Sequence, residues 1–212
     1  MLKYHVIVEG AFAHNTVILW ESESREAFLL DPGSRANEIS RFIECEKLQV
    51  KAVILTHAHL DHVGGLKHFM NYYGVDFFMH PNEASVLEHV ETSCRMYGLP
   101  VFDVPESSSA LSLKEGDKLE LGKAFLKVIE TPGHTPGGVC FYSSQGLVFV
   151  GDTLFSGSVG RTDLPGGDFP TLQSSLRKLV KLPAETVVVC GHGPDTSIGI
   201  EKSNNPFLAD LF

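Results

Sequence analysis

The chain has 212 residues, 43% of them apolar, and a formal net charge of −9 with histidine counted as neutral. That length suits a single domain, 1–212, able to bury a sizeable core, and so acidic a chain has no general attraction for phosphate backbones, so nucleic acid is not its expected partner. The longest apolar runs, such as Leu147 to Val150 and Val187 to Cys190, fall far short of the ~18 residues of a spanning helix; with no secretory signal at Met1 to Val6, a cytoplasmic protein that does not bind membranes is expected.

Residues 3–8, 15–20 and 27–31 are rich in apolar and β-branched side chains and are separated at Gly10 and at Glu21-Ser22-Glu23-Ser24, the pattern of an antiparallel start. Asp31-Pro32-Gly33 closes the third strand. Ile39, Phe42, Ile43 and Leu48 then recur at helical spacing after a serine cap, which predicts a helix over 34–48. A strand at 51–55 follows, and after Thr56 to Gly65 a helix carrying Val63, Leu66, Met70 and Tyr73, ended by Gly74. Val75 to Met79 reads as a strand and Pro81 to Val90 as a helix. Glu91 to Ser112, with weak periodicity and a serine run, reads as a long loop or lid beside a site.

In the second half, 118–121 and 123–131 read as strands paired around Gly122. Gly138 to Tyr142 and Leu147 to Val150 are two more, joined by Ser143 to Gly146. Phe169 to Leu182 reads as a helix with Leu172, Leu176, Leu179 and Val180 on one face, Thr186 to Cys190 as the last strand and Ser197 to Asn205 as a closing helix. Strands and helices thus recur in two similar halves, which predicts an α/β fold of two mixed β-sheets packed face to face with helices outside, in four layers. The four cysteines, Cys45, Cys94, Cys140 and Cys190, lie far apart and form no Cys-x-x-Cys pair, so reduced and mostly buried thiols are expected.

Four apolar strands end in side chains able to hold a metal. Val53 to Thr56 ends in His57, Leu126 to Thr131 in Pro132-Gly133-His134, Leu147 to Gly151 in Asp152, and Val187 to Gly191 in His192. Ligands of open α/β sheets bind outside the carboxyl ends of strands, so these residues are expected at one edge of the molecule. His57, His59 and Asp61 are two apart, which suits one side of an extended loop and not a helix face. Five histidines (His57, His59, His62, His134, His192) and two carboxylates (Asp61, Asp152) exceed the needs of one tetrahedral ion, so two divalent cations are expected, with Asp152 the better candidate to bridge them. His5, His14, His68, His80 and His89 are read as structural or surface histidines.

The motif His57-x-His59-x-Asp61-His62, followed in order by His134, Asp152 and His192, resembles the metallo-β-lactamase superfamily across nearly the whole chain. Thr131 to Gly137 and Gly151 to Phe155 are similar to its glyoxalase II group, in a short form. The resemblance implies an αβ/βα sandwich with a first metal on His57, His59 and His134, a second on Asp61, His62 and His192, and Asp152 between them. Zinc is the expected metal, with iron or manganese as alternatives. Glyoxalase II proper carries a C-terminal helical domain for glutathione, which is not expected here because the chain stops at Phe212. Gly160-Arg161-Thr162-Asp163-Leu164 resembles a segment shared with persulfide dioxygenases, and Arg161 is expected either to brace the site or meet an acidic substrate, or simply to pair with Asp163.

The expected activity is hydrolysis of a small-molecule acyl thioester such as S-lactoylglutathione by a hydroxide bridging the two metals. Asp61 would orient that hydroxide or accept its proton, Asp152 would serve beside it, and the thiolate would leave without a dedicated acid. The alternatives are a mononuclear-iron persulfide dioxygenase using His57, His134 and Asp152 and, after that, a lactone or β-lactam hydrolase. The residues do not fix an oligomeric state, and a monomer is consistent with them.

Overall fold

The structure, a computed structural model, describes residues 1–209. The first half contributes β1 (Leu2–Glu9), β2 (His14–Glu21), β3 (Glu26–Leu30), α1 (Ala36–Cys45), β4 (Gln49–Ile54), α2 (Leu66–Tyr73), β5 (Phe77–Met79), α3 (Ala84–Glu88), α4 (Val90–Met96) and β6 (Leu111–Ser112). Its six strands form one sheet in chain order, antiparallel from β1 to β3 and parallel from β3 to β6.

The second half supplies β7 (Lys118–Leu121), β8 (Ala124–Glu130), β9 (Val139–Ser143), β10 (Leu147–Gly151), the short pair β11 (Leu154–Phe155) and β12 (Ser158–Val159), α5 (Phe169–Leu179), β13 (Val187–Cys190), β14 (Thr196–Ser197) and α6 (Ile198–Asn204). The second sheet has the order β14-β13-β10-β9-β8-β7, with β10 and β13 parallel and its other neighbours antiparallel.

Alternation along the strands sorts their side chains into three layers of core, because successive residues of a strand point to opposite faces. In β2, Val17 and Leu19 join Phe28, Leu30 and Ile54 of the first sheet against Val128, Phe141, Phe149 and Val189 of the second. Ile18 and Trp20 point the other way, into a layer with Ile39 and Ile43 of α1 and Leu66 and Phe69 of α2. On the far side, Val148, Val150 and Val188 pack beneath Leu172, Leu176 and Leu179 of α5. Both sheets are covered on both faces, as the expected four layers require.

Two expectations are corrected. Residues 81–90 do not form one helix: a 3-10 turn at Pro81–Glu83 leads into α3, and the chain bends at His89 before α4. The segment 91–112 is not wholly a loop, since α4 occupies its start and β6 its end, with a 3-10 turn at Ser107–Ser109 in the otherwise irregular chain between. Only Val90 and Cys94 of α4 are buried, one turn apart, and its Thr, Ser and Cys residues are indifferent helix formers, so packing decides this element. Gly74 ends α2 in the left-handed region (φ 64°), as its position after Tyr73 suggests. Cys94, Cys140 and Cys190 are buried, Cys45 is exposed, and all four are free thiols.

Candidate metal centre

The loop 55–65 leaves β4 at the carboxyl edge of the first sheet, where Val139 N–H donates to the Thr56 carbonyl (2.9 Å) and ties it to the second. His134 follows β8, Asp152 follows β10 and His192 follows β13. The two glycines beside the last two ligands are sterically required. A Cβ on Gly151, whose φ is +49°, would lie 2.2 Å from Thr56 Oγ1, and one on Gly191 would lie 2.2 Å from Asp152 Oδ1.

The fold brings all seven expected donors together. Donor atoms of His57, His59 and His134 lie within 4.8 Å of one another, as do those of Asp61, His62 and His192, and those of His57, His62 and Asp152. His59 Nδ1 and His134 Nε2 face each other at 3.0 Å. Asp152 stands between the groups: its Oδ1 is 3.4 Å from His62 Nε2, and its Oδ2 is 3.6 Å from His134 Nε2 and 3.5 Å from His192 Nε2. His192 Nε2 is also 3.2 Å from Asp61 Oδ2.

The outer nitrogens of four histidines are fixed by partners that set which nitrogen faces inward. His62 Nδ1 donates to Asp31 Oδ2 (3.0 Å). Thr56 Oγ1 also donates to Asp31 Oδ2 (2.5 Å), and in turn accepts from His57 Nδ1 (3.1 Å). His134 Nδ1 donates to the Arg161 carbonyl (2.7 Å), and His192 Nδ1 to the Phe12 carbonyl (2.9 Å). Asp31 is thus the shared anchor of His57 and His62. It is buried, held through Oδ1 by Thr56 N–H (2.7 Å), and adopts a left-handed backbone (φ 47°) that few side chains tolerate.

Burial first, and then neighbouring histidines, lower His57 far below its ordinary value and His59 to about 3, so both imidazoles are neutral. Asp61 and Asp152 stay ionised: burial opposes their charge, but His62 and His192 hold both well below the usual carboxylate range. Against the same burial, bonds to Asp152 and Asp61 lift His192 to about 10. Neutral imidazole and ionised carboxylate are the forms that bind divalent metals, and a cation here takes the place of such protons.

The donor set fits such ions. The inward Nε2 atoms of His57 and His62 and Oδ1 of Asp152 are buried with no hydrogen-bond partner among the described residues. The separations quoted above are close to the roughly 3.3 Å edge of a tetrahedron with ~2.0 Å metal–nitrogen bonds. The His192, Asp61 and Asp152 side chains are 24%, 18% and 12% exposed, so solvent reaches the centre from that side.

Arg161 contributes its carbonyl to His134, while its guanidinium makes a bidentate pair with Asp163 (2.7 Å and 2.7 Å) on the surface. Of the two positions read for His14, the surface is excluded: the residue is buried with its ring 4.1 Å from that of His62, and neither ring nitrogen has a hydrogen-bond partner among the described residues. Asp31 and Asn15 were not singled out in the sequence. Asn15 bonds Gly191 O through its backbone N–H (2.8 Å) and Cys190 O and Gly193 O through Nδ2 (3.0 Å and 2.8 Å), bracketing His192. The one sequence signal for Asp31 is an acidic residue at a strand end before Pro32-Gly33; Asn15 had none.

With this fold and donor set, the chain belongs to the metallo-β-lactamase superfamily, whose family model matches residues 10–192. It is 36% identical over 210 residues to the hydroxyacylglutathione hydrolase GloC of Haemophilus influenzae, covering 98% of each chain. It is 39% identical over 212 residues to the probable metallo-hydrolase YqgX of Bacillus subtilis, again covering 98% of each. Among solved structures it is similar to BLEG-1 B3 metallo-β-lactamase (TM-score 0.89, 34% identity, 98% of this chain and 100% of that one). It is also similar to TTHA1623 in a di-iron-bound form (0.86, 37%, 96% and 100%) and to ETHE1 from Myxococcus xanthus (0.78, 26%, 96% and 83%). Among the described residues no helix is long and apolar enough to cross a membrane.

Proposed function

We propose that the protein hydrolyses acyl thioesters of small thiols, S-lactoylglutathione among them, with His57, His59 and His134 holding one divalent ion, Asp61, His62 and His192 a second, and Asp152 shared. The observation that carries this reading is the position of Asp152, whose two oxygens face histidine nitrogens of both groups. Bound there, two such ions supply a hydroxide at neutral pH and polarise a carbonyl.

The chain's own part is orientation. Asp31 and Thr56 keep the Nε2 atoms of His57 and His62 turned inward, and Arg161 acts by bracing His134 through its carbonyl. Asp61, ionised and on the partly exposed side, would orient a nucleophile; a carboxylate held so far below its usual range is a weak base, so orientation rather than proton acceptance is the role proposed for it. A thiol leaving group has a pKa of only ~8.5, so it departs as thiolate with no side chain to protonate it, whereas an amine would need one. The 36% identity to a protein named as a hydroxyacylglutathione hydrolase supports the substrate class.

A second reading is a persulfide dioxygenase with one iron on His57, His134 and Asp152; similarity to a di-iron form supports iron as the metal, though with two ions and not one. Metal analysis of the purified protein, paired with thioesters, glutathione persulfide with oxygen uptake, lactones and β-lactams, separates the two. Two ions per chain with thioester turnover and no oxygen uptake is the expected result. Persulfide-dependent oxygen uptake without thioester turnover overturns the first reading in favour of the second.

A further inference from the structure

Glu83 closes the 3-10 turn after β5 and has no accessible surface. A carboxylate is seldom so buried unless something is gained from its acceptor oxygens. Here Oε2 accepts from Ala58 N–H (2.8 Å) and Oε1 from Gly137 N–H (2.7 Å). Ala58 lies between His57 and His59 on the loop from the first sheet, and Gly137 lies three residues beyond His134 on the loop from the second.

One side chain therefore spans the two loops that carry the first group of donors. The approach is possible because residue 137 is glycine: a Cβ there would lie 2.7 Å from His80 Nδ1 and 2.9 Å from Glu83 N. The second group is braced elsewhere, by Asp31 on His62, an anchor that also reaches His57 through Thr56, and by Asn15 with the Phe12 carbonyl around His192.

We propose that Glu83 is a positioning residue for the first metal: by bonding Ala58 and Gly137 at once, it sets the separation of the His57–His59 loop from His134. The inference rests on the two-ion reading above. Glu83→Gln tests it, because an amide keeps one acceptor and turns its NH2 toward the other backbone N–H, so only one loop stays bonded.

The measurement is stepwise competition for Co(II) or Zn(II) between the full chain and a chromophoric chelator, with thermal melting of the metal-free protein alongside. In Glu83→Gln one ion is expected to weaken by ~10–100-fold while the other changes by less than about threefold. The cobalt absorption of the ion that stays should match that of His134→Ala and differ from that of His192→Ala.

An unchanged ratio of the two constants overturns the inference, whether both ions hold as in wild type or both weaken together with the metal-free melting temperature. So does a retained spectrum matching His192→Ala. If Glu83→Gln does not fold, Glu83→Asp, which keeps the charge but is too short to reach both loops, is read by the same ratio. Wild-type protein that binds fewer than two ions would instead defeat the two-ion reading itself.

Discussion

The two halves of the molecule supply the centre in different ways. The first sheet delivers His57, His59, Asp61 and His62 on one loop after β4, whereas the second delivers His134, Asp152 and His192 singly from the ends of β8, β10 and β13. A contiguous loop fixes its donors largely through its own backbone and the Asp31–Thr56 pair beneath it. Isolated donors need support from elsewhere: His134 is held by the Arg161 carbonyl of its own half, while the opposite half supplies Asn15 and Phe12 for His192, and the Thr56 carbonyl and Glu83 for the loop after His134. The difference teaches that the centre is an interface between two sheets, and that residues distant from the motif govern whether it is complete.

This contrast can be tested by removing one contact at a time. Asp152→Ala, which takes away the group shared by both halves, is expected to have the largest effect. Thioester turnover should fall by ~10³-fold or more, about 4 kcal/mol of transition-state stabilisation, and metal analysis should show both ions weakened. Loss of a single ion would mean that Asp152 serves one half only.

Asp31→Asn comes next. The amide cannot accept from His62 while also serving Thr56 N–H and Oγ1, so metal affinity should fall by ~10–100-fold, measured by chelator competition. An affinity equal to wild type would show that the first loop needs no anchor beyond its own backbone.

Asn15→Ala removes two hydrogen bonds from the His192 loop, about 2 kcal/mol in all, or a fall of roughly 4–8 °C in melting temperature for a chain of this size. Binding of one ion should weaken with it. A fall in stability with both ions held as in wild type would detach Asn15 from the site.

The smallest effect is expected at Asp163, whose carboxyl the Arg161 guanidinium holds down at about 2. Because the folded value lies below the unfolded one, its stabilising contribution is present above pH 3.8 and is lost as pH falls through about 2. Asp163→Asn should therefore lower the melting temperature by only about 1 °C at pH 7, an exposed pair being worth little. The difference should narrow as the pH is taken from 4 towards 2.5, and a gap that widens instead would break the assignment.

Much of this centre is legible in the sequence because a metal needs several donors of restricted type. In the first half, four of them crowd into six positions, and in the second each sits just beyond an apolar strand. The braces were not legible. Asp31 reads only as the end of a strand, Glu83 as one more polar residue on a helical turn, and His14 as an ordinary structural histidine, although its ring lies buried against His62. Helix α4 was missed for a related reason: two buried positions one turn apart give too little periodicity to distinguish it from loop.

The sequence by itself determined the layers and the donors. Alternating side chains assign each strand two faces, strands buried on both faces require cover on both, and the ligand types follow from composition at the strand ends. Only the tertiary structure decided which nitrogen of each histidine turns inward and how the two halves are held in register. A tautomer is set by the hydrogen bond on the opposite side of its ring, and here the partners of His62, His134 and His192 (Asp31, Arg161 and Phe12) come from other segments of the chain. Such contacts join residues far apart in the chain, so no local pattern of residues encodes them.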